Sequence, residues 1–202
     1  MKLKYALLLA AIPLFATSLG LQLQYFLGLK ADVITSCCGS LFSSNAPTLA
    51  SEVSALEPKP ALLTFYGALV AAIGLGLWHW RKRDNLSGYA SGLCALAAFV
   101  ASVSGILAFV SLYIYEHPHH HCPFCILKPE YDYQGYWLYL PLFAAAAAGM
   151  SAGVLRIFSR WPSLEIVVPK LTGRLAGIAA IGYGLFALIA SIMIWRSNLI
   201  LF

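Results

Sequence analysis

The chain has 202 residues, of which 60% are hydrophobic and only 10% are Asp, Glu, Lys or Arg. A soluble domain carries about 25% charge, so this composition excludes one and points to an integral membrane protein. The formal net charge is +5, but the basic residues lie where they set membrane topology, and no nucleic-acid partner is needed to explain them.

Lys2 and Lys4 precede an apolar stretch from about Tyr5 to Leu29. A signal peptide's apolar region runs only about 7–15 residues, whereas a helix needs about 20 to cross a bilayer. The stretch is therefore expected to be an uncleaved signal-anchor helix, with Ala16-Thr17-Ser18 as the competing cleavage site. Residues 30–60 form the first polar connection and contain the vicinal pair Cys37-Cys38 and a run of serines. Pro60 then suits the first turn of the next helix.

Four further apolar runs, at about 61–80, 89–115, 137–158 and 175–195, are predicted as helices, because lipid leaves backbone groups no partner outside their own segment. Trp78, Trp80, Tyr113, Tyr115, Tyr136, Trp137 and Trp195 fall at the run ends, where amphipathic rings favour the headgroup layer. The predicted fold is an all-α polytopic membrane bundle of five transmembrane helices in one domain. With the amino terminus taken as cytoplasmic, Lys2, Lys4, Arg81, Lys82, Arg83, Arg156, Arg160, Lys170 and Arg174 share the inner side, nine of thirteen basic residues. The positive-inside rule then places the loops at 30–60 and 116–136 outside the cytoplasm. In a bacterium, that makes the chain an inner-membrane protein whose cysteine-bearing loops face a compartment where disulfides persist. The inner connection Ser159 to Arg174 is expected to lie along the interface, with no catalytic role.

The island His117–Tyr136, HPHHHCPFCILKPEYDYQGY, concentrates the chemistry. It holds His117, His119, His120 and His121, with Cys122 and Cys125 in C-x-x-C spacing. A neighbouring cation lowers a thiol pKa and makes sulfur attack possible near neutral pH, and the imidazoles can supply that positive field. Cys94 lies within a span and reads as a small buried hydrophobe. Exchange needs a donor pair and an acceptor pair in contact, so two pairs on one face favour a thiol–disulfide relay. The competing reading is a structural crosslink between the loops. Adjacent Cα atoms are about 3.8 Å apart, short of the usual disulfide range, so bonds from Cys37 or Cys38 to Cys122 or Cys125 are easier than a vicinal bond.

The order of elements, with the segment Asp32 to Ser44 around Cys37-Cys38-Gly39-Ser40 and the motif Cys122-Pro123-Phe124-Cys125, resembles the vitamin K epoxide reductase family and the analogous DsbB-type proteins. The likeness covers the layout of about residues 1–158 and two short motifs. It implies that Cys122 and Cys125 face a quinone held among the helices. It also implies that Cys37 and Cys38 shuttle electrons to an extracytoplasmic thiol protein. In this chain the loop cysteines are adjacent instead of spaced, and Lys128-Pro129-Glu130 to Gly135 separates the C-x-x-C from the next helix, Pro129 disfavouring helix at Lys128.

Metal binding is the alternative. Thiolates and imidazoles are ligands for zinc, copper(I) and similar soft ions, and His117, His119, His120, His121, Cys122 and Cys125 supply up to six. The vicinal Cys37-Cys38 is also similar to the paired cysteines of bacterial mercury-transport proteins. No Asp or Glu lies in the middle of a span, which disfavours an ion pathway. A third expectation is a non-catalytic subunit of a membrane complex with structural disulfides.

Overall fold

The computed structural model describes residues 2–28, 53, 56, 58–118, 120–161 and 164–199. Among them every regular element is helical. Two compact units are distinguished, Met1–Cys37 and Cys38–Phe202. The first contains α1, Lys2–Leu27, whose 26 residues span about 39 Å at the usual rise. Pro13 lies inside it, and the Thr17 hydroxyl donates to the Pro13 and Leu14 carbonyls, each at 2.9 Å. Thr17 thus hides its hydroxyl against its own helix, which suits an apolar setting.

Among the described residues of the second unit, four long helices form a ring. α2 runs Pro58–Lys82, with prolines in its first turn and His79, Arg81 and Lys82 in its last, where cations complement the free carbonyls. α3, Asn85–Gly105, passes through a π-helical turn at Ile106–Val110 into α4, Ser111–Tyr115. α5 covers Gln134–Leu155, followed by a 3-10 segment at Arg156–Arg160, and α6 covers Val167–Arg196. α2 packs on α3, α3 on α5, α5 on α6 and α6 back on α2, and the α3–α6 diagonal is a minor contact.

Four helical stretches are long and apolar enough to cross a membrane: Lys59–Lys82, Asn85–Tyr115, Gln134–Ser159 and Val167–Arg196. They coincide with four of the predicted spans. The last begins eight residues earlier than the apolar run at 175, because Pro169, Lys170 and Arg174 occupy its first two turns. Proline is tolerated in a first turn, and long basic side chains reach out from an apolar helix to water. Part of the expected inner connection is therefore helix.

The helices face outwards with Leu63, Val70, Leu93, Leu140, Ile181 and Trp195, all more than 60% exposed. An apolar belt of this extent suits lipid and not water. Inside, Phe65 meets Phe109 edge-on at 5.3 Å and Phe186 at 5.7 Å. Leu138, Leu142 and Tyr183 close the core, and Tyr183 donates its hydroxyl to the Ala95 carbonyl at 2.6 Å. Close approach comes from small residues: a Cβ on Gly92 would lie 2.6 Å from the Cα of Gly153. Backbones in such contact replace the hydrophobic driving force that lipid does not supply.

The two ends of the bundle differ. One carries Arg81, Lys82, Arg83, Arg156, Lys170 and Arg174 and encloses a polar network. His79 is wholly buried there, its Nδ1 2.8 Å from the Ser87 hydroxyl and its Nε2 3.2 Å from the Thr172 hydroxyl. Ser87 donates to the Asp84 carboxylate, so it accepts from His79 Nδ1. Buried Arg156 donates to the carbonyls of Arg83 and Asp84, at the turn between α2 and α3 where Arg83 adopts a left-handed φ of 57°. Helices α2, α3, α5 and α6 are thus tied together at this end by one arginine, one imidazole and two hydroxyls. The opposite end carries the cysteine island.

Candidate functional site

The island descends from α4 and returns to α5 through two 3-10 turns, Cys125–Leu127 and Pro129–Tyr131. Lys128 is extended (φ −85°, ψ 158°), as a residue before proline must be, so the C-x-x-C does not run into a helix. Glu116, Asp132 and Tyr133 adopt left-handed φ values of 51°, 51° and 54° at the two corners. Each conformation costs a non-glycine residue about 1–2 kcal/mol, so packing must hold the loop. Three contacts do so. Ile126 is fully buried in the core. The Tyr115 hydroxyl donates to the Cys122 carbonyl, and the Tyr139 hydroxyl donates to the Pro123 carbonyl at 2.6 Å. Gly135 is required for the fit, since a Cβ there would lie 2.8 Å from Leu127 and 2.9 Å from Ile126.

This anchoring turns the C-x-x-C inwards. Cys122 is 1% exposed and Cys125 8%, whereas Phe124 between them points outwards. Cys122 is held in a disulfide. Ligand atoms of His120, Cys122 and Cys125 all lie within 4.8 Å of one another. The His120 ring packs against Tyr115 with centroids 4.2 Å apart, and Tyr131 meets the same tyrosine at 4.6 Å. His120 Nε2 is buried and has no hydrogen-bond partner. Burial first, then the neighbouring His117 and His121, hold the His120 pKa below the ordinary histidine value. That shift favours the uncharged imidazole, which keeps one ring nitrogen with a lone pair that accepts a proton or a hydrogen bond.

The other histidines separate. His121 places Nδ1 2.8 Å from the Leu107 carbonyl, inside the π-helical turn. A carbonyl only accepts, so Nδ1 carries the proton. His117 is exposed just beyond α4. Of the six metal-ligand candidates in the island, the fold brings three into one cluster. His119, Cys37 and Cys38 lie outside the described residues, as does the expected convergence of the two cysteine pairs. Cys94 is half-buried against the core, in keeping with a packing role.

Tyr115 and Tyr139 were not singled out by sequence as supports of the cysteine loop. Tyr115 reads as an interfacial anchor and Tyr139 as one more residue of an apolar run, yet both aim their hydroxyls at the C-x-x-C backbone. Their spacing from the cysteines carries no periodic signal, because the loop folds back on itself. Arg156 and His79 likewise read as a topology charge and a span-end residue, and both are buried.

A cavity of about 510 Å³ opens at the same end of the bundle, lined by Tyr113, Ile114, Trp137, Ile189 and Met193 with Glu116, Asp132 and Arg196 at its polar side. None of His120, Cys122 and Cys125 lines it. Tyr113 and Trp137 each stand two residues, about 200° of helical turn, from Tyr115 and Tyr139. The cavity and the sulfur cluster therefore occupy different faces of α4 and α5.

Comparisons with protein-family models, with curated proteins and with solved structures find no match to this chain. The fold and composition define a helical bundle with four helical stretches long and apolar enough to cross a membrane and a sulfur–imidazole cluster at one end.

Proposed function

We propose that the chain is a membrane thiol–disulfide oxidoreductase that passes electrons between an extracytoplasmic cysteine relay and a quinone. One observation carries this reading: Cys125 sits within 4.8 Å of a Cys122 sulfur that is already engaged in a disulfide, both buried beside His120. Attack of the Cys125 thiolate on Cys122 Sγ forms the Cys122–Cys125 bond and expels the former partner sulfur as a thiolate, a redox-neutral exchange. In the reverse step a loop thiolate, Cys37 or Cys38 in this proposal, opens the Cys122–Cys125 bond, and a thiolate of the external dithiol protein then attacks the loop sulfur and releases Cys122, so that both C-x-x-C cysteines are reduced while the external dithiol is oxidised. When the reduced C-x-x-C closes to a disulfide, two electrons and two protons pass to the quinone and yield a quinol. His120 is placed to take the thiol proton and stabilise the thiolate.

In this reading α1 is the fifth span, and the end rich in Arg and Lys is cytoplasmic by the positive-inside rule. The cysteine end then faces the periplasm of a bacterial inner membrane, where an external dithiol protein reaches it. The reading is tested with purified protein in lipid, a reduced dithiol protein as donor and a soluble quinone as acceptor. Dithiol-dependent quinone reduction is expected in the native chain and is lost in Cys122→Ser and Cys125→Ser variants that keep their helical content. Equal rates in the two variants and the native protein overturn it, and a loss of folding without any native turnover identifies a structural staple in a larger complex.

A further inference from the structure

Three observations on the island exceed what electron relay requires. The His120 Nε2 is buried and has no hydrogen-bond partner, although a buried polar atom left unpaired costs about 1–3 kcal/mol. His120 also belongs to a group whose three ligand atoms, one of its ring nitrogens and the sulfurs of Cys122 and Cys125, are mutually within 4.8 Å. Both sulfurs are at least nine-tenths buried, and His120 itself is partly buried.

We infer that reduction of the Cys122 disulfide converts this cluster into a Zn2+ site with His120, Cys122 and Cys125 as ligands, so that the oxidation state of Cys122 gates metal binding. The inference rests on the exchange chemistry proposed above, because that chemistry supplies the reduced state. Its steps balance. An external dithiol gives two electrons and two protons to the Cys122 disulfide, producing two thiols. Zn2+ then displaces the protons of Cys122 and Cys125, binds two thiolates and the imidazole, and leaves a fourth position for water or an outside ligand.

Geometry and charge choose the ion. Zinc–sulfur bonds of about 2.3 Å and zinc–nitrogen bonds of about 2.0 Å put tetrahedral ligands about 3.5–3.8 Å apart. Separations of up to 4.8 Å thus need a contraction of about 1 Å, within reach of side-chain rotation in a turn. Two thiolates and a neutral imidazole around Zn2+ sum to zero charge, whereas the same set around Cu+ keeps a net negative charge in a buried place. Burial disfavours the charged complex. The absence of a carboxylate from the group disfavours Mg2+ and Ca2+, which take oxygen ligands. In the disulfide state Cys122 offers no thiolate, and two ligands remain.

The test uses the full chain in detergent, prepared oxidised or reduced with a phosphine that is then removed, and titrated with Zn2+ and with Co2+ as a coloured probe. One zinc per reduced chain is expected, with sulfur-to-cobalt charge-transfer absorption, and at least about tenfold weaker binding in the oxidised chain. His120→Ala and Cys125→Ser are expected to lose the absorption, and His117→Ala to keep it. The inference is overturned if the reduced chain binds no stoichiometric zinc, if the oxidised chain binds it equally, or if His120→Ala leaves the cobalt spectrum unchanged. Dithiol-dependent quinone reduction, assayed in parallel with chelator present, separates the two proposals: turnover without zinc binding sinks only the metal site, and zinc binding without turnover sinks only the relay.

Discussion

His121 donates its Nδ1 proton to the Leu107 carbonyl over 2.8 Å, and Leu107 lies in the one π-helical turn among the described residues, Ile106–Val110. The Ser111 N–H reaches back to Ile106, five residues away, and so does not take the Leu107 carbonyl as it would in a regular α-helix. The imidazole uses the acceptor that the widened turn presents, and π turns recur where a helix is adapted to a local task. Here that task is to pin the start of the C-x-x-C against the second membrane-type helix.

Removing the pin is therefore expected to act locally. His121→Ala should cost about 1 kcal/mol, the net worth of one hydrogen bond. Amide hydrogen exchange should accelerate at Ile106–Val110 and at Cys122–Leu127 together, with little change in α6. Exchange that rises evenly over the whole bundle, or not at all, contradicts this link.

The bundle's tightest helix contact gives a second test. Alanine at Gly92 would drive its Cβ to 2.6 Å from the Gly153 Cα, where only backbone movement can relieve the clash. Gly92→Ala is expected to destabilise by about 1–3 kcal/mol, as overpacking does. Gly67→Ala meets nothing within 4 Å and should be neutral or slightly stabilising through helix propensity. Thermal unfolding of both variants in one detergent makes the comparison, and equal midpoints would argue against the α3–α5 packing.

The polar end should respond to acid. The Ser87 hydroxyl donates to Asp84 and holds its carboxyl below the ordinary value of 3.8. A carboxylate with a depressed folded pKa stabilises above its unfolded value and loses that contribution as the pH falls through the folded one. Asp84 is exposed, so the effect is small and screened by salt. Unfolding midpoints of the native chain are expected to drop below about pH 4, and Asp84→Asn to flatten that part of the curve at low salt. Identical acid profiles would remove the Ser87–Asp84 bond from the account.

Much of this architecture was readable from composition. Apolar runs at 61–80, 89–115, 137–158 and 175–195 are long enough that lipid allows only helices, and helices stand at all four. The ends were harder. Val167 to Arg174 contains a proline and two basic residues, which break a hydropathy pattern without breaking a helix. The π turn leaves no trace in sequence, because Ile106–Val110 is as apolar as its neighbours. Cys122, Cys125 and His120 were visible as chemistry-bearing types in one loop, but six candidate ligands could not be reduced to three. That choice depends on the direction each side chain takes, and Tyr115, Tyr139, Ile126 and Gly135 decide it. Arg156 shows the same limit: counted as a topology charge, it is a buried donor to two carbonyls.

The central claim is that Cys125 exchanges with the Cys122 sulfur and that a quinone sets the state of the pair. The most direct measurement is peptide mapping after acid quench and alkylation, with the chain in lipid containing either oxidised quinone or quinol. A Cys122–Cys125 crosslinked peptide that accumulates with quinone and disappears with quinol is the expected result. The same alkylation pattern at Cys122 and Cys125 under both conditions would contradict the account.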